Sequence, residues 1–274
     1  MAGKLYVVGT PIGNLGNMSP RAVEILGSVD FIAAEDTRVT VKLLNHFGIK
    51  KPMVSYHEHN KASQNEKIAD RIALGETCAL VTDAGMPAIS DPGEDLVRFC
   101  HEKELLVESV PGPSALITAL AISGMPSKRF CFEGFLSVEK KEREAHLESL
   151  RGDTHTLIFY EAPHKLAATL RDMLKYFGNR KIALVKELTK LHENCELTTL
   201  FEANEKYSDG SAKGEFVLII EGAKIEDTAK EYTLEMAVEM AKGFIAAGMS
   251  PTAAAKSAAG LTGLRRNEIY KNLI

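Results

Sequence analysis

The feature that most constrains this chain is an alternation of two periodicities over its first half. Short apolar runs at Leu5–Val8, Phe31–Ala34, "KPMVSY", "CALVTD" and "LLVESV" are separated by longer amphipathic or apolar stretches with helix-end signals. Ser19 followed by Pro20 predicts a helix start, because proline at the first helical position gives up an N–H that has no partner anyway. "TRVTVKLLNHFG" and "NEKIADRIALG" stop at Gly48 and Gly75, where a glycine tolerates the left-handed turn of a helix end. Asp91-Pro92-x-Glu94 reads as the cap of the next helix, close to a capping box. "PSALITALAISG" is a fifth, apolar helix. Repeated strand–helix units require a largely parallel sheet with helices on both faces.

The second half breaks that rhythm. "RFCFEGF" and "THTLIFYE" read as strands, each followed by a helix, "SVEKKEREAHLESL" and "PHKLAATLRDMLKYFG". Three strand-like runs follow with no room for helices between them: "KIALVKEL", "ELTTLFEA" and "GEFVLIIEG". Such spacing argues for antiparallel pairing. The expected class is therefore α/β, with a mainly parallel sheet, then a mixed sheet, then a small helical unit. Glycine and proline in "AISGMPSKRF" place the first break, giving 1–122 and 123–223 as two α/β domains and 224–274 as a helical tail. "KEYTLEMAVEMAKGFIAAG", "SPTAAAKSAAG" and "GLRRNEIYKNLI" suit three short helices, compatible with a helix-turn-helix-like unit or with a hairpin packed on the body.

With 274 residues the chain can bury a sizeable core, and two domains or more are expected. The formal net charge of −4 excludes a whole-molecule basic field, so nucleic acid would have to meet a local patch. The four cysteines, Cys78, Cys100, Cys131 and Cys195, form no C-x-x-C pair and suit a reducing, cytoplasmic setting. No basic-then-apolar leader and no long apolar run is present, so neither export nor a membrane span is expected.

The loop "VVGTPIGNLGNMSP" after the first strand looks built for phosphate. Neither phosphate pattern fits. A P-loop needs G-x-x-x-x-G-K, and Asn14 stands where the second glycine belongs; a dinucleotide fingerprint needs G-x-G, and Pro11 stands there with no N–H to offer. Glu35 and Asp36, after the second strand, keep the place of a ribose-binding acid. "TDAGMPAISDPG" and "VPGPSAL" follow the fourth and fifth strands. Three glycine/proline loops at the carboxyl ends of parallel strands outline one cleft, suited to a ligand that wants close backbone approach without phosphate charge.

The ordered motifs "VGTPIGNL", "AEDTR", "SYHEHN", "DAGMPAISDPG", "PGPSA", "FYEAPHKL" and "KELTKLHE" resemble the bacterial 16S ribosomal RNA (cytidine-2′-O)-methyltransferase family of the tetrapyrrole methylase superfamily, over roughly the whole chain. The resemblance implies an S-adenosylmethionine cleft between two α/β domains, a homodimer, and methylation of a cytidine ribose (cytidine 1402 by the resemblance) in 16S rRNA of the small ribosomal subunit. By motif, the donor site would use Pro11; Asp83, Gly85, Met86 and Ile89; Thr118 and Ala119; and Tyr160, Leu188, Gly214, Glu215 and Phe216. Met86 stands where the family often has threonine, Lys165 and Lys186 where it often has arginine, and Ser137 where it has proline. Lysine keeps the charge but not arginine's planar fork, which phosphate contact tolerates.

A ribose hydroxyl is a weak nucleophile and calls for a base or a nearby cation. Glu35, Asp36 and Arg38, Glu161, and Lys186, Glu187 and Lys190 are candidates. In a regular strand Lys186 and Glu187 face opposite ways, and Glu187 is then the one expected in the cleft. Each acid also has a plainer reading, as a surface carboxylate or one half of an ion pair. His57 and His59 project to one side of an extended segment, but no third ligand has helpful spacing, so no metal is expected. For RNA, Lys175, Arg180, Lys181, Lys186 and Lys190 form the densest basic segment of the body; Lys165, His164 and His192 lie near motif residues, and Arg265 and Arg266 mark the tail. A tetrapyrrole-precursor methyltransferase and a nucleotide-binding regulator are the alternative readings.

Overall fold

The computed structural model of the chain describes residues 3–224, 233–246, 248–262 and 264–273. The chain folds as two compact units, 1–223 and 224–274.

Strands β1 (Lys4–Val8), β2 (Phe31–Ala34), β3 (Met53–Ser55), β4 (Thr77–Val81) and β5 (Leu106–Val110) form one sheet in the order β3-β2-β4-β1-β5. Every pair in it is parallel. Side chains alternate between faces as a strand requires. Val8, Ile32 and Val81 pack under α1 (Pro20–Ser28) and α2 (Thr37–His46) with Ala22, Leu26 and Leu44. Leu5, Phe31 and Leu80 pack on the other side under α3 (Lys61–Ala73) and α4 (Glu94–Glu102) with Ile68, Ile72 and Leu96. Fully burying such a side chain contributes about 1.5–3 kcal/mol. The caps follow the sequence at α1, where Ser19 Oγ accepts from Ala22 N at 3.1 Å, and at α2, where Asp36 accepts from Arg38 N at 2.8 Å. At α4 they do not. The helix starts at Glu94, its cap position is Gly93 at φ 147°, and no side chain caps it. Asp91 is therefore not a helix cap.

The second sheet contains β6 (Phe130–Phe135), β7 (Thr156–Glu161), β8 (Lys181–Lys186), β9 (Asn194–Thr199) and β10 (Phe216–Ile220), in the order β6-β7-β10-β8-β9. Only β6 and β7 run parallel; the other pairs are antiparallel. Helices α6 (Lys140–Ser149), α7 (Leu166–Phe177) and α8 (Leu200–Tyr207) cover one face through Leu147, Leu170, Met173 and Leu200. Helix α8 corrects the reading of "ELTTLFEA" as strand throughout. The strand stops at Thr199, whose hydroxyl accepts from Glu202 N while the Glu202 carboxylate accepts from Thr199 N. This T-x-x-E capping box was visible in the sequence and outweighs the β propensity around it.

The other face is covered by α5 (Ala115–Ser123), which follows β5 in the chain but packs Leu116, Ala119 and Leu120 against Ile158, Val185 and Val217 of the second sheet. The expected break at 122/123 thus falls after a helix that shares its core with the second sheet. Ser114, at the N-cap of α5, makes no side-chain cap. Tyr160 of β7 supplies one: its phenolic oxygen accepts from Leu116 N at 3.1 Å. That contact satisfies a first-turn donor of α5 with a group from the other sheet.

The loops after β1, β4 and β5 are joined backbone to backbone. Thr10 N donates to Gly85 O at 2.9 Å and Gly85 N to Thr10 O at 3.1 Å, an isolated antiparallel bridge. Thr10 Oγ1 also donates to Thr82 O at 3.1 Å. Gly9 lies flat against Gly112; a Cβ on Gly9 would stand 2.6 Å from Gly112 Cα. One turn of 3₁₀ helix, Leu15–Asn17, then leads into Ser19.

The second unit contains α9 (Leu234–Ala246), α10 (Pro251–Thr262) and α11 (Arg266–Lys271). Ala237, Ala241, Ala254, Ala258 and Ile269 form its small core. The expected helix ends at Lys230, Gly263 and Ile274 lie outside the described residues. Among the described residues no helix is long and apolar enough to cross a membrane.

Three substitutions test this frame. Gly9→Ala should cost about 1–3 kcal/mol by overpacking, read as a lower melting temperature, whereas Gly152→Ala, which meets nothing within 4 Å, should stay within about 0.5 kcal/mol. Tyr160→Phe should cost about 1–3 kcal/mol, because it leaves the Leu116 N–H without its acceptor; chemical denaturation measures it.

Candidate active site

A cavity of about 510 Å³ opens where the carboxyl ends of the first sheet meet the second. Its first wall is loop backbone and short side chains: Ile12, Ala84, Gly85, Met86 and Ile89, then Ser114 and Ala115. Its second is Tyr160, Val185, Leu188, Phe216 and Val217, with Phe135 at the mouth. Tyr160 is held edge-on by Phe132 and Phe135, with ring centroids 4.9 and 5.4 Å away. The volume is that of a small-molecule site.

Of the expected donor residues, Gly85, Met86, Ile89, Tyr160, Leu188, Glu215 and Phe216 line this cavity. Pro11 stops one residue short of the wall, which Ile12 reaches. Thr118 and Ala119 lie about one turn further along α5 than Ser114 and Ala115, which line the wall, and Ala119 packs in the core. Asp83 turns the other way: its N–H donates to Glu35 Oε2 at 3.3 Å, and its Oδ1 accepts from Asp36 N at 3.2 Å. Gly214, at φ 83°, precedes the lining residue Glu215 and is not itself among the described lining.

The lining has an unusual charge pattern. Among the described residues it includes Asp91, Glu161 and Glu215 but no lysine or arginine. Glu161 is engaged internally, accepting from Ala162 N at 2.8 Å and from the Thr169 hydroxyl. A phosphate-bearing ligand would find no cation among the described lining residues. A ligand that carries positive charge, or none, suits these walls.

A second cavity of about 600 Å³ adjoins the first at Ser90 and Asp91. It is polar, lined by Glu35, Glu58, Asp91, Glu94 and Asp95 with His57, His59 and Lys61. Lys61 is committed to Glu58 at 2.7 Å and Asp95 at 2.8 Å. The Nδ1 atom of His57 is buried without a partner among the described residues. Burial pushes the Glu35 carboxyl above its usual range, and the Asp83 and Asp36 charges add to the rise. Burial likewise raises Asp91, to about 6, with Glu35 and Asp83 as the neighbouring charges.

The proposed catalytic residues separate. Glu35 faces the second cavity. Asp36 and Arg38 form a pair with each other at 2.6 Å, and the Arg38 side chain and backbone hold Asp36 down to about 2. Glu187 is not where strand alternation put it. Strand β8 ends at Lys186, and Glu187 turns to φ 52°. Its Oε1 accepts from Glu215 N at 3.0 Å and from Lys190 Nζ at 3.0 Å, while its own N–H donates to Glu215 O at 3.1 Å. The Glu215 N–H first, and the Lys190 ammonium second, keep the Glu187 carboxyl below its usual range. Gly214 leaves room for this clasp, since a Cβ there would meet Glu187 Cγ at 2.7 Å. Glu187 thus ties the loop after β8 to the start of β10, and Lys186, the last residue of β8, is not among the described lining residues.

The expected basic patch is also divided. Lys181 begins β8 and Lys186 ends it, so the two stand about 17 Å apart at the rise of a strand. Lys175 pairs with Glu144 at 3.2 Å, Arg180 packs over Phe177, and Lys190 is held by Glu187 and Glu215. Lys165, at the N-terminal boundary of α7, follows His164 of the cavity wall. Arg265 and Arg266 are exposed at the start of α11 in the second unit. Cys131, Asp153 and His155 bring three ligand-type atoms within 4.8 Å at the start of β6 and β7. Asp153 is already occupied there, with His155 Nδ1 at 2.6 Å.

The comparisons with known proteins agree with this geometry. The profile of the Tetrapyrrole (Corrin/Porphyrin) Methylases matches residues 4–204. A Synechocystis protein named ribosomal RNA small subunit methyltransferase I is 45% identical over 270 residues, 98% of this chain and 96% of its own. A Xylella fastidiosa protein of the same name is 46% identical over 271 residues, 98% of each. The uroporphyrin-III C-methyltransferase of Thermus thermophilus, solved with S-adenosylhomocysteine, superposes with a TM-score of 0.56 at 16% identity, covering 79% of this chain and 97% of that one. By profile, by full-length similarity and by fold, the chain belongs to the tetrapyrrole methylase family, among relatives named ribosomal RNA small subunit methyltransferase I.

Proposed function

We propose that this chain transfers a methyl group from S-adenosylmethionine to the 2′-hydroxyl of a cytidine in small-subunit ribosomal RNA, at the position its family resemblance implies. The observation that carries the reading is the pair of adjoining cavities, one apolar and free of cations among its described residues, the other polar and rich in carboxylates. S-adenosylmethionine supplies an electrophilic methyl carbon on a positively charged sulfur and carries no phosphate. The walls at Gly85, Met86, Ile89, Tyr160, Leu188 and Phe216 would hold it, and the Asp91 carboxylate favours its charge.

The second cavity suits a ribose and a cytosine better than a phosphate. Carboxylates accept hydrogen bonds from hydroxyls and from the exocyclic amine of cytosine. Phosphates would stay at the rim, with Lys165, which follows His164 of the first cavity's wall, and Lys181, Lys186, Lys190, Arg265 and Arg266 as the candidate cations. The chain's loops fix both partners, so positioning supplies much of the acceleration. Water is kept from the donor by the apolar wall.

The names of the relatives, ribosomal RNA small subunit methyltransferase I, support an RNA acceptor over a tetrapyrrole. So does the charge of the second cavity: an acceptor with several carboxylates would meet five more there. A nucleotide-binding regulator fits less well, because the described lining of the first cavity offers a triphosphate no cation. The domain division, cytoplasmic location and a homodimer belong to the same reading. Exposed Ile117 and Ile122 of α5 beside Leu197 of β9 offer an apolar face for a second copy, and sedimentation reads the oligomeric state.

The decisive test maps 2′-O-methylation in small-subunit RNA from cells with and without the gene. Loss of methylation at one cytidine is expected; an unchanged map would overturn the reading. Supplying the purified chain with naked 16S RNA or assembled small subunits then identifies the substrate form. Calorimetry should find affinity for S-adenosylmethionine and none for nucleoside triphosphates. Glu187→Gln keeps the clasp's acceptor oxygen, so it should lower activity by less than about tenfold, the scale of one weakened hydrogen bond. A far larger loss, with donor binding intact, would return Glu187 to the role of base.

A further inference from the structure

We propose that Asp91 takes the proton from the acceptor hydroxyl as the methyl group is transferred. The assignment rests on the methyl-transfer reading above and names the proton acceptor that reading lacks. As the hydroxyl oxygen bonds to the methyl carbon, its proton passes to an Asp91 carboxylate oxygen, and the sulfur keeps the electron pair of the broken C–S bond.

Position is the first argument. Asp91 is the ionisable residue common to the described walls of both cavities. Its charge is felt by Tyr160 on the donor side, and on the other side its neighbouring charges are Glu35 and Asp83. A group that takes the proton of a hydroxyl held in one cavity, as its oxygen attacks a methyl held in the other, has to stand beside that hydroxyl at this junction.

The backbone is the second argument. Asp91 sits in a segment where Ala88 takes φ 68° and Ser90 takes φ 63°, and Gly93 takes φ 147°. Two non-glycine residues in the left-handed region within three positions carry a conformational cost. Helix capping does not explain it, since α4 begins at Glu94 without a side-chain cap. The segment instead carries Asp91 into the junction.

The surroundings are the third. Among the described residues, neither a cation nor a hydrogen-bond donor stabilises the Asp91 carboxylate; burial and the Glu35 and Asp83 charges raise its pKa to about 6. Around it stand Glu35 after β2, His57, Glu58 and His59 after β3, Lys61 of α3, Asp83 after β4, Glu94 and Asp95 at the start of α4, Glu161 at the end of β7 and His164 after it. Lys61 is neutralised by Glu58 and Asp95, and Glu35 accepts from Asp83 N. Asp91 is left ionised near neutral pH yet more basic than a surface carboxylate, as a general base requires.

The test uses the full chain, saturating S-adenosylmethionine and small ribosomal subunits from cells lacking the gene. The wild-type rate should fall as pH drops through about 6. Asp91→Asn should lower it about 10²- to 10⁴-fold and abolish that inflection, and Asp91→Glu should restore part of the rate. A second readout is independent of turnover. Because the folded pKa is raised, the ionised form costs the fold stability as pH rises from about 4 to about 6. Asp91→Asn should therefore melt higher than wild type above about pH 6, with the difference vanishing below about pH 4. A variant slower but more stable is the expected pair of results. Wild-type rate and an unchanged pH profile in Asp91→Asn would overturn the assignment while leaving the methyltransferase reading intact. A wild-type chain that methylates no ribosomal RNA would remove the reading beneath it.

Discussion

The site depends on a contact between main chains. Gly9 and Gly112 touch without side chains between them, and Thr10 and Gly85 exchange two hydrogen bonds across a gap between loops. Three loops from three strands are thereby fixed to one another before any ligand arrives. A parallel sheet ends in a row of unpaired backbone groups at its carboxyl edge, and many folds leave these to bind phosphate. Here Thr10 and Gly85 use some of them on each other. The edge keeps fewer free backbone donors for an anion and carries carboxylates instead, in keeping with the failure of each phosphate pattern.

Much of the fold was legible because it depends on periodicity and end signals. The five parallel strands, the Ser19 cap and the antiparallel pairing of β8 with β9 and β10 in the mixed second sheet follow from local sequence and from the short connections between those strands. Helix α8 was missed because "TTLFE" holds both a strand-like composition and a capping box, and only the tertiary context of β9 decides between them. The packing of α5 on the second sheet could not be read at all. Its apolar residues lie all round, so the sequence does not say which sheet they cover.

The site was legible at the level of loops and less so at the level of residues. The three loops converge as expected, and the lining residues are Ile12, next to the expected Pro11, and Ser114 and Ala115, one turn before the expected Thr118 and Ala119. Offsets of one residue or one turn are set by backbone direction, which composition does not encode. Glu187 was misplaced because strand alternation was carried one residue beyond the strand. Asp91 was hidden by a good local explanation: Asp-Pro before an acid is a helix-start pattern, and here the helix begins later.

Tyr160 adds a consequence for motion. Its hydroxyl completes the first turn of α5, so a strand of one sheet finishes a helix that follows directly from a strand of the other. Parting the two walls of the cleft would strip that turn of an acceptor and begin to fray the helix. The cleft is thus wired to the cooperativity of the fold rather than hung on a free hinge. Entry and exit of a ligand must then be left to the side chains at the mouth, Ile89 and Phe135, both about half exposed.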